Sequence, residues 1–331
     1  MKPYPDQIKA VESAIKYHRG IIAMPTGTGK SFVIKLIVKA LNLKALIIVP
    51  SLEIKKQLSA ELKNTKAVVK NIDDTSLKND TNYDVLIIDE GHHTAARTYQ
   101  KLNKTAWNNI YYRFFMTATP FRNDTEETLL FEAICGRLIF KLSYLDAVKK
   151  GYIAPVDAYV LNIPKKTTEG YTYREVYNDL VVNNNERNMM IGALIGRLDK
   201  PTLCLVKEVW HGKLLSELTG CPFVSGEDQE SRDYIRQFNS GGITKLIGTT
   251  GVLGEGVDTK PAEYIIIAGG GKAKSQFMQA VGRGVRVYPG KESAKIILIK
   301  DKSHRFLLTH YKAQAIIMKE EYGVTPMEIN L

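Results

Sequence analysis

The loop at residues 24–31, with the sequence MPTGTGKS, constrains the fold more than any other stretch of the chain. An apolar run at 21–23 precedes it and a helical pattern at 31–41 follows it. A glycine-bearing loop between a strand and a helix, ending in Gly-Lys-Ser, is typical of a phosphate-binding loop, because glycines let backbone N–H groups turn toward an anion at a helix N-terminus. The predicted nucleotide contacts are Thr26, Gly27, Thr28, Gly29, Lys30 and Ser31.

One position of this loop departs from the phosphate-loop pattern. The phosphate-loop pattern has glycine at its first position, where this chain has Met24. The alternative is an ordinary glycine-rich turn before a helix, which the strand-loop-helix context disfavours. We expect Lys30 to reach the β- and γ-phosphates and the Ser31 hydroxyl to ligate Mg²⁺.

Short apolar strands alternate with helical patterns along most of the chain, which predicts an α/β fold built on parallel sheets covered on both faces. In the first half the strands are expected at 21–23, 45–49, 67–69, 84–88 and 111–116. A connecting region at 136–168 is expected to hold a short helix at 144–150 and an extended segment at 156–163. Five more strands are expected after it, at 202–206, 222–224, 244–247, 264–268 and 294–299. Two domains are predicted, at residues 1–140 and 141–331. Ligands bind at the carboxyl ends of such strands, and the tripeptides at 29–31, 89–91 and 117–119 all follow strands.

The charge of the chain favours a polyanionic partner. Of its 331 residues, 46 are Lys or Arg and 35 are Asp or Glu. Residues 1–140 carry 20 basic and 14 acidic side chains, so both halves are basic, by +6 and +5. Two basic domains suit a shared track of nucleic acid better than a core with a basic tail does.

Cysteine usage and hydropathy indicate a cytoplasmic protein. The three cysteines, Cys135, Cys204 and Cys221, have neither metal-site nor disulfide spacing, and each lies in or beside an apolar stretch. The N-terminus has no apolar signal core, and no run is long enough to span a membrane.

Asp89 and Glu90 follow four apolar residues and are candidate catalytic carboxylates. Asp89 is placed to hold Mg²⁺ near a triphosphate, and Glu90 is the candidate general base for the attacking water. A solvated Asp-Glu pair in a loop is the alternative. The adjacent His92 and His93 lack further ligands for a metal site, so His92 is expected to link the nucleotide site to Thr117 or Thr119.

The second half contributes an arginine-bearing motif at residues 279–286, with the sequence QAVGRGVR. Arg283 and Arg286 are three residues apart near the end of a helical pattern, which predicts that both lie on one helix face. Arginine supplied by a second domain can stabilise charge on a transferring phosphoryl group; surface arginines are the alternative. The glycine-rich stretch 248–258 is expected to contact phosphates of ATP or of a nucleic acid, or to be a simple flexible loop.

In this order the motifs resemble those of superfamily 2 helicases and translocases. Residues 24–31 resemble motif I, 49–51 with Gln57 motif Ia, 89–92 a DExH form of motif II, and 117–119 motif III. Residues 203–206, 248–258 and 279–286 resemble motifs IV, V and VI, and Gln7 resembles the adenine-reading Q motif. Stretches at 119–124, 143–152, 209–212 and 254–258 are similar to the XPB/UvsW branch of repair and recombination helicases, which includes motor subunits of restriction enzymes.

The resemblance implies two RecA-like parallel-sheet domains in tandem, with the ATP site in the cleft between them and nucleic acid across both. It implies that Gln7 reads adenine, that Tyr4 stacks on it, and that Arg283 and Arg286 act as arginine fingers near Gln279. The remaining roles that it implies are coupling by Thr117 and Thr119, backbone contacts to nucleic acid by Pro50, Ser51 and Thr249, and nucleotide binding by Gly256 and Asp258. The resemblance to phage-type repair helicases implies the cytoplasm of a prokaryote or of a phage-infected host cell.

The resulting prediction is an ATP- and Mg²⁺-dependent DNA helicase or translocase acting on duplex or branched DNA in recombination, repair or fork processing. We expect mainly backbone contacts to DNA and no membrane partner. The segment between Gln57 and Asp84 is short, and the family's threonine-rich motif is not found there. With little length outside the core, specificity is expected from the core, from residues 165–182 or from a protein partner. The alternatives are an RNA-dependent DExH motor and an ATP-switched nucleic-acid clamp that does not translocate.

Overall fold

The computed structural model describes residues 2–50, 52–79, 81–90, 97–118, 132–226, 229–252, 259 and 261–329. The chain divides into two compact units, Met1–Ala147 and Val148–Leu331. Among the described residues, no helix is both long enough and apolar enough to cross a membrane.

The first unit is a six-stranded parallel sheet in the order β3-β2-β4-β5-β1-β6. Its strands are β1 (Arg19–Ala23), β2 (Ala45–Val49), β3 (Ala67–Asn71), β4 (Val85–Ile88), β5 (Tyr112–Thr117) and β6 (Leu138–Lys141). Its described helices are α1 (Pro5–Tyr17), α2 (Lys30–Leu41), α3 (Leu52–Glu61), α4 (Arg97–Lys104) and α5 (Tyr144–Lys149). The central strands β2 and β4 are apolar and buried at every position, because helices cover both faces of a parallel sheet.

The strand register brings three segments of the first unit to one edge of its sheet. Ala23, the last residue of β1, pairs with Thr117, the last residue of β5. Ile88 at the end of β4 pairs with Ile48 on one side and with Phe115 on the other. The phosphate loop, Asp89 and Thr117 therefore lie together at the carboxyl edge, as strand alternation predicts.

The second unit is a seven-stranded parallel sheet in the order β13-β7-β12-β11-β8-β10-β9. Its strands are β7 (Val156–Ile163), β8 (Thr202–Val206), β9 (Phe223–Val224), β10 (Lys245–Thr249), β11 (Tyr264–Ile267), β12 (Ala294–Asp301) and β13 (Met327–Glu328). Its described helices are α6 (Tyr173–Tyr177), α7 (Asn185–Arg197), α8 (Val209–Thr219), α9 (Gln229–Ser240), α10 (Lys274–Gly284) and α11 (Arg305–Tyr322). A π-helical turn at Asn178–Val182 continues α6.

Within the predicted connecting region at 136–168, the expected helix and extended segment are confirmed as α5 and β7, whereas a strand at 138–141 was not predicted. Strand β6 joins the edge of the first sheet beside β1, and β7 lies between β12 and β13 in the second. Strand β6 escaped the pattern because it is a half-buried edge strand that ends in the exposed Lys141. The predicted boundary after Phe140 therefore falls inside a strand, seven residues before the end of the first compact unit at Ala147.

Candidate phosphate-binding site

The loop at 24–31 adopts a conformation that depends on its two glycines. Gly27 and Gly29 have φ of 89° and 83°, in the left-handed region that residues with a Cβ rarely adopt. Thr28, only 1% exposed, donates from its hydroxyl and its backbone N–H to the Pro25 carbonyl, at 2.7 and 3.3 Å. Gly29 caps α2, whose first residue is Lys30, so the loop ends at a helix N-terminus. This geometry supplies N–H donors and partial positive charge at one place.

Gln7 on α1 is hydrogen-bonded to this loop. Its amide oxygen accepts the Tyr4 backbone N–H at 2.9 Å, and its amide nitrogen donates to the Thr28 carbonyl at 2.9 Å. A Cβ built on Gly29 would lie 2.6 Å from the Gln7 amide nitrogen, so glycine is required here by space as well as by φ. Gln7 is 4% exposed, whereas Tyr4 is 42% exposed. The Gln7 amide nitrogen has a second N–H in addition to the one that donates to Thr28. The recognition of adenine by Gln7 stays a prediction.

Asp89 and Glu90 stand beside the loop in different ways. Asp89 is 5% exposed, and its carboxylate accepts the Glu90 backbone N–H at 3.0 Å. Glu90 has φ of 50°, an uncommon conformation for a residue with a side chain, and such conformations cluster at functional sites. Its carboxylate lies 3.8 Å from the Lys30 ammonium, and the two side chains are 15% and 10% exposed. Lys30 and Glu90, which are 60 positions apart in the sequence, are thus neighbours at the phosphate loop.

Thr117 ends β5 and Pro50 follows β2, the two strands on either side of β4. Thr117 is fully buried, and its carbonyl accepts the Met24 N–H at 3.0 Å, which joins β5 to the start of the loop. The Pro50 carbonyl accepts the Asn71 side-chain amide at 3.0 Å. Sequence analysis did not single out Asn71, a polar residue at the end of a weakly apolar strand. It holds the turn that follows β2, where a nucleic-acid contact is predicted.

Several predicted site residues lie outside the described residues. They are Ser51, His92, Thr119, Gly256 and Asp258. The predicted link from His92 to Thr117 or Thr119 therefore stays a prediction.

The second unit places its predicted residues on two elements. Thr249 ends β10, is 7% exposed, and accepts the Val252 N–H on its hydroxyl at 3.4 Å. Gln279 and Arg283 are on α10, and Arg283 is only 4% exposed.

The expectation that Arg283 and Arg286 share a helix face is wrong. Helix α10 ends at Gly284, so Arg286 lies beyond it and is partly exposed. Gly284 packs tightly, since a Cβ there would be 3.0 Å from side-chain atoms of Ala294 and Ile265. Glycine favours helix termination, and the close packing of this turn against the sheet separates the two arginines.

The residues present fit a nucleotide and its metal ion. The left-handed Gly27 and Gly29 shape the loop at the N-terminus of α2, and Lys30 supplies a cation there. Ser31 in the first turn of α2 and the buried Asp89 offer oxygen donors of the kind that Mg²⁺ takes together with substrate phosphates. Within the described ranges, no group of three or more His, Cys, Asp or Glu residues forms a metal cluster. A metal held mainly by phosphates needs no such cluster.

Comparison with known families assigns both units. The family described as "Type III restriction enzyme, res subunit" matches residues 1–82 and 63–122. The family described as "Helicase conserved C-terminal domain" matches residues 206–288. The two matches contain the phosphate loop with Asp89 and Glu90, and the arginine-bearing motif, respectively.

Curated relatives are distant but cover most of the chain. A candidate helicase of Sulfolobus islandicus filamentous virus is 26% identical over 74% of the chain. The DNA 3'-5' translocase XPB2 of Sulfurisphaera tokodaii is 24% identical over 89% of this chain and 80% of its own length. The ATP-dependent DNA helicase uvsW of Enterobacteria phage T4 is 23% identical over 89% of this chain and 68% of its own length. The chain spans about half the length of two of its relatives, 47% of the viral protein and 54% of an archaeal helicase named Rad25.

A solved structure supports the fold. A fragment of a candidate HsdR subunit of a type I restriction enzyme from Vibrio vulnificus YJ016 superposes with a TM-score of 0.74 at 18% identity, covering 99% of this chain and 68% of that one. The two parallel sheets are therefore tandem RecA-like domains. The two family matches and the relatives named XPB2 and uvsW make the chain similar to superfamily 2 helicases of the XPB/UvsW-like type.

Proposed function

We propose that this protein is an ATP-hydrolysing DNA motor, a helicase or translocase. The observation that carries the proposal is the meeting of Lys30 and Glu90, 3.8 Å apart, at a loop built around two left-handed glycines. A phosphate-binding lysine beside a carboxylate is what hydrolysis of a triphosphate requires. The helicase C-terminal match in the second unit adds the domain that a motor needs in addition to its ATP site.

In this proposal each residue of the first unit has a separate task. Lys30 and the loop N–H groups bind the phosphates of ATP, and Glu90 orients and deprotonates the attacking water. Ser31 and Asp89 would hold Mg²⁺, which would neutralise phosphate charge when bound. Gln279, Arg283 and Arg286 are proposed to assist turnover from the second unit.

DNA is the proposed track, held mainly through its backbone. The net charge of +11 favours a polyanion, and Pro50, Ser51 and Thr249 are the proposed backbone contacts. Relatives named as DNA helicases or translocases support DNA over RNA. We further propose action on duplex, forked or branched DNA in the cytoplasm of a prokaryote or a phage-infected cell, with a protein partner as one source of specificity.

The test is steady-state ATP hydrolysis at one salt concentration with single-stranded DNA, linear duplex, a four-way junction and RNA. We expect Lys30→Ala to abolish phosphate release. Lys35→Ala is the matched control, because Lys35 lies on the same helix and pairs with Glu61 on the surface at 3.8 Å. Turnover retained in Lys30→Ala would refute the site assignment.

The choice of nucleic acid in the same assay separates the motor from its rivals. Stimulation by a junction would support branch processing, whereas stimulation by RNA alone would refute the DNA assignment. A triplex-displacement assay distinguishes a motor from a clamp that hydrolyses ATP without moving, because a stationary clamp displaces no third strand.

A further inference from the structure

The segment between β7 and α7 displays a tyrosine that the motor motifs do not use. The side chain of Tyr171 is 93% exposed, which is unusual for a large aromatic ring. Its backbone is nevertheless held in place, since the N–H groups of Tyr171 and Thr172 both donate to the Glu175 carboxylate, at 3.0 and 2.9 Å. The ring is therefore presented to solvent from an ordered turn at the start of α6.

A second tyrosine, Tyr173, has a lysine ammonium close to its ring. Tyr173 packs against the rings of Tyr177 and His310, with centroids 5.8 and 5.6 Å apart. The Lys207 ammonium lies 5.4 Å from the Tyr173 centroid and 5.5 Å from that of Tyr177. Lys207 is exposed and directly follows β8.

Further charges face this cluster. Lys272 is exposed and lies two residues after Gly270, where a Cβ would be 2.9 Å from Nδ1 of His310. Burial, Lys272 and Lys207 lower the pKa of His310 to about 4. Burial and Glu208 raise the pKa of Tyr173, so one carboxylate also faces the surface.

The cluster is fixed to the second sheet. The Tyr177 hydroxyl donates to the Gly269 carbonyl at 2.8 Å, and the buried Arg187 donates to the Ala268 carbonyl at 2.6 Å. Both carbonyls lie just after β11, at the carboxyl edge of the sheet. A rigid aromatic surface loses little conformational entropy when a flat ligand stacks on it.

Exposed aromatic rings together with lysines bind unpaired nucleic-acid strands, because the rings stack on the bases and the lysines contact the phosphates. We propose that Tyr171, Tyr173, Lys207 and Lys272 form a platform for single-stranded nucleic acid, with a base stacked on Tyr171 and phosphates at the two lysines. This inference rests on the proposed function and adds a strand-binding site to it. It also gives residues 165–182, predicted as one source of specificity, a chemical role.

The experiment measures binding of a fluorescein-labelled oligo(dT) strand of 20 nucleotides to the full chain by anisotropy, without ATP and at one salt concentration. Loss of one base stack in Tyr171→Ala is expected to weaken binding about 5- to 100-fold. Tyr171→Phe keeps the π-face and is expected to bind like the wild type. Met189→Ala, which truncates another exposed side chain of the same unit, controls for loss of apolar surface and is expected to have no effect.

A backbone-only probe isolates the stacking. On a strand of abasic residues, Tyr171→Ala and the wild type are expected to bind equally. Lys207→Gln is expected to reduce the slope of log K against log salt by about 0.7, the value for one phosphate contact on a single strand. Wild-type affinity of Tyr171→Ala for oligo(dT), or equal losses on the abasic strand, would overturn the platform and favour a protein partner for this surface.

Failure of the inference is distinguishable from failure of the proposed function. If the wild type hydrolyses ATP in response to DNA but Tyr171→Ala binds oligo(dT) normally, only the platform is refuted. If the wild type neither binds nor responds to any nucleic acid, both are refuted.

Discussion

The contact between Gly29 and Gln7 predicts that the two positions are energetically coupled. In Gly29→Ala the new Cβ would meet the Gln7 amide nitrogen at 2.6 Å, so the amide must move and its bond to the Thr28 carbonyl must break. The next nearest group, the Cβ of Phe32, is 3.8 Å away and accommodates a methyl group. The steric part of the penalty therefore depends on whether Gln7 is present.

The magnitudes follow from three terms. Alanine at φ of 83° costs about 1–2 kcal/mol in the left-handed region. Loss of the hydrogen bond from Gln7 to Thr28 adds about 0.5–1.5 kcal/mol, so Gly29→Ala should destabilise the first unit by about 2–3 kcal/mol. Gln7→Ala alone removes two hydrogen bonds and should cost roughly 1–3 kcal/mol. Because the shared bond is lost only once, the double variant should be about 1 kcal/mol more stable than the sum predicts.

Urea unfolding of the full chain measures this cycle. The chain has two tryptophans, Trp107 in the first unit, 1% exposed, and Trp210 in the second, 62% exposed. A Trp210→Phe background leaves a single buried reporter in the unit that carries the substitutions. Additive effects within about 0.3 kcal/mol would refute the reasoning, since they would mean that Gln7 does not touch the loop as the structure shows.

Two further predictions concern the second unit. Arg286 is partly exposed beyond α10, so Arg286→Ala should leave ATP binding intact and cut turnover at least tenfold. Arg283 is only 4% exposed, so Arg283→Ala should in addition lower the free energy of unfolding by about 2 kcal/mol. Nucleotide titration, turnover and thermal unfolding of both variants check this, and equal loss of binding and turnover in Arg286→Ala would contradict its role. Burial lowers the pKa of His211 to about 3, so the folded state excludes a proton that the unfolded chain binds below about pH 6.5. Stability should therefore fall as pH drops from about 6.5 toward 3, and His211→Gln should flatten that slope by up to one proton; an unchanged slope in urea titrations at several pH values would refute this.

Much of the site could be predicted because its residues are adjacent in the chain or end a strand. The loop at 24–31 is a local structure, since its glycines and the helix after it specify the bend. Asp89 and Thr117 could be placed near it because parallel strands align their carboxyl ends. The strand-helix alternation predicted parallel sheets covered by helices, because each element has a period that the sequence shows, whereas the RecA-like assignment came from the motif resemblance.

Other features depend on contacts between distant segments and left no pattern to read. Strand β6 is a four-residue edge strand that pairs with β1, and its apolar run at 138–140 is only three residues long. The end of α10 depends on packing of Gly284 against Ile265 and Ala294. The fastening of the phosphate loop by Gln7 is likewise a contact across 21 residues.

The sequence by itself therefore determined the fold class, the phosphate loop and the pair of carboxylate candidates. Tertiary structure decided that Glu90 adopts a left-handed conformation near Lys30, that Arg286 lies beyond the helix that carries Arg283, and that Tyr171 is exposed. The physical reason is that hydrophobic period and turn chemistry are local, whereas burial, ion pairing and steric fit arise only when distant segments pack.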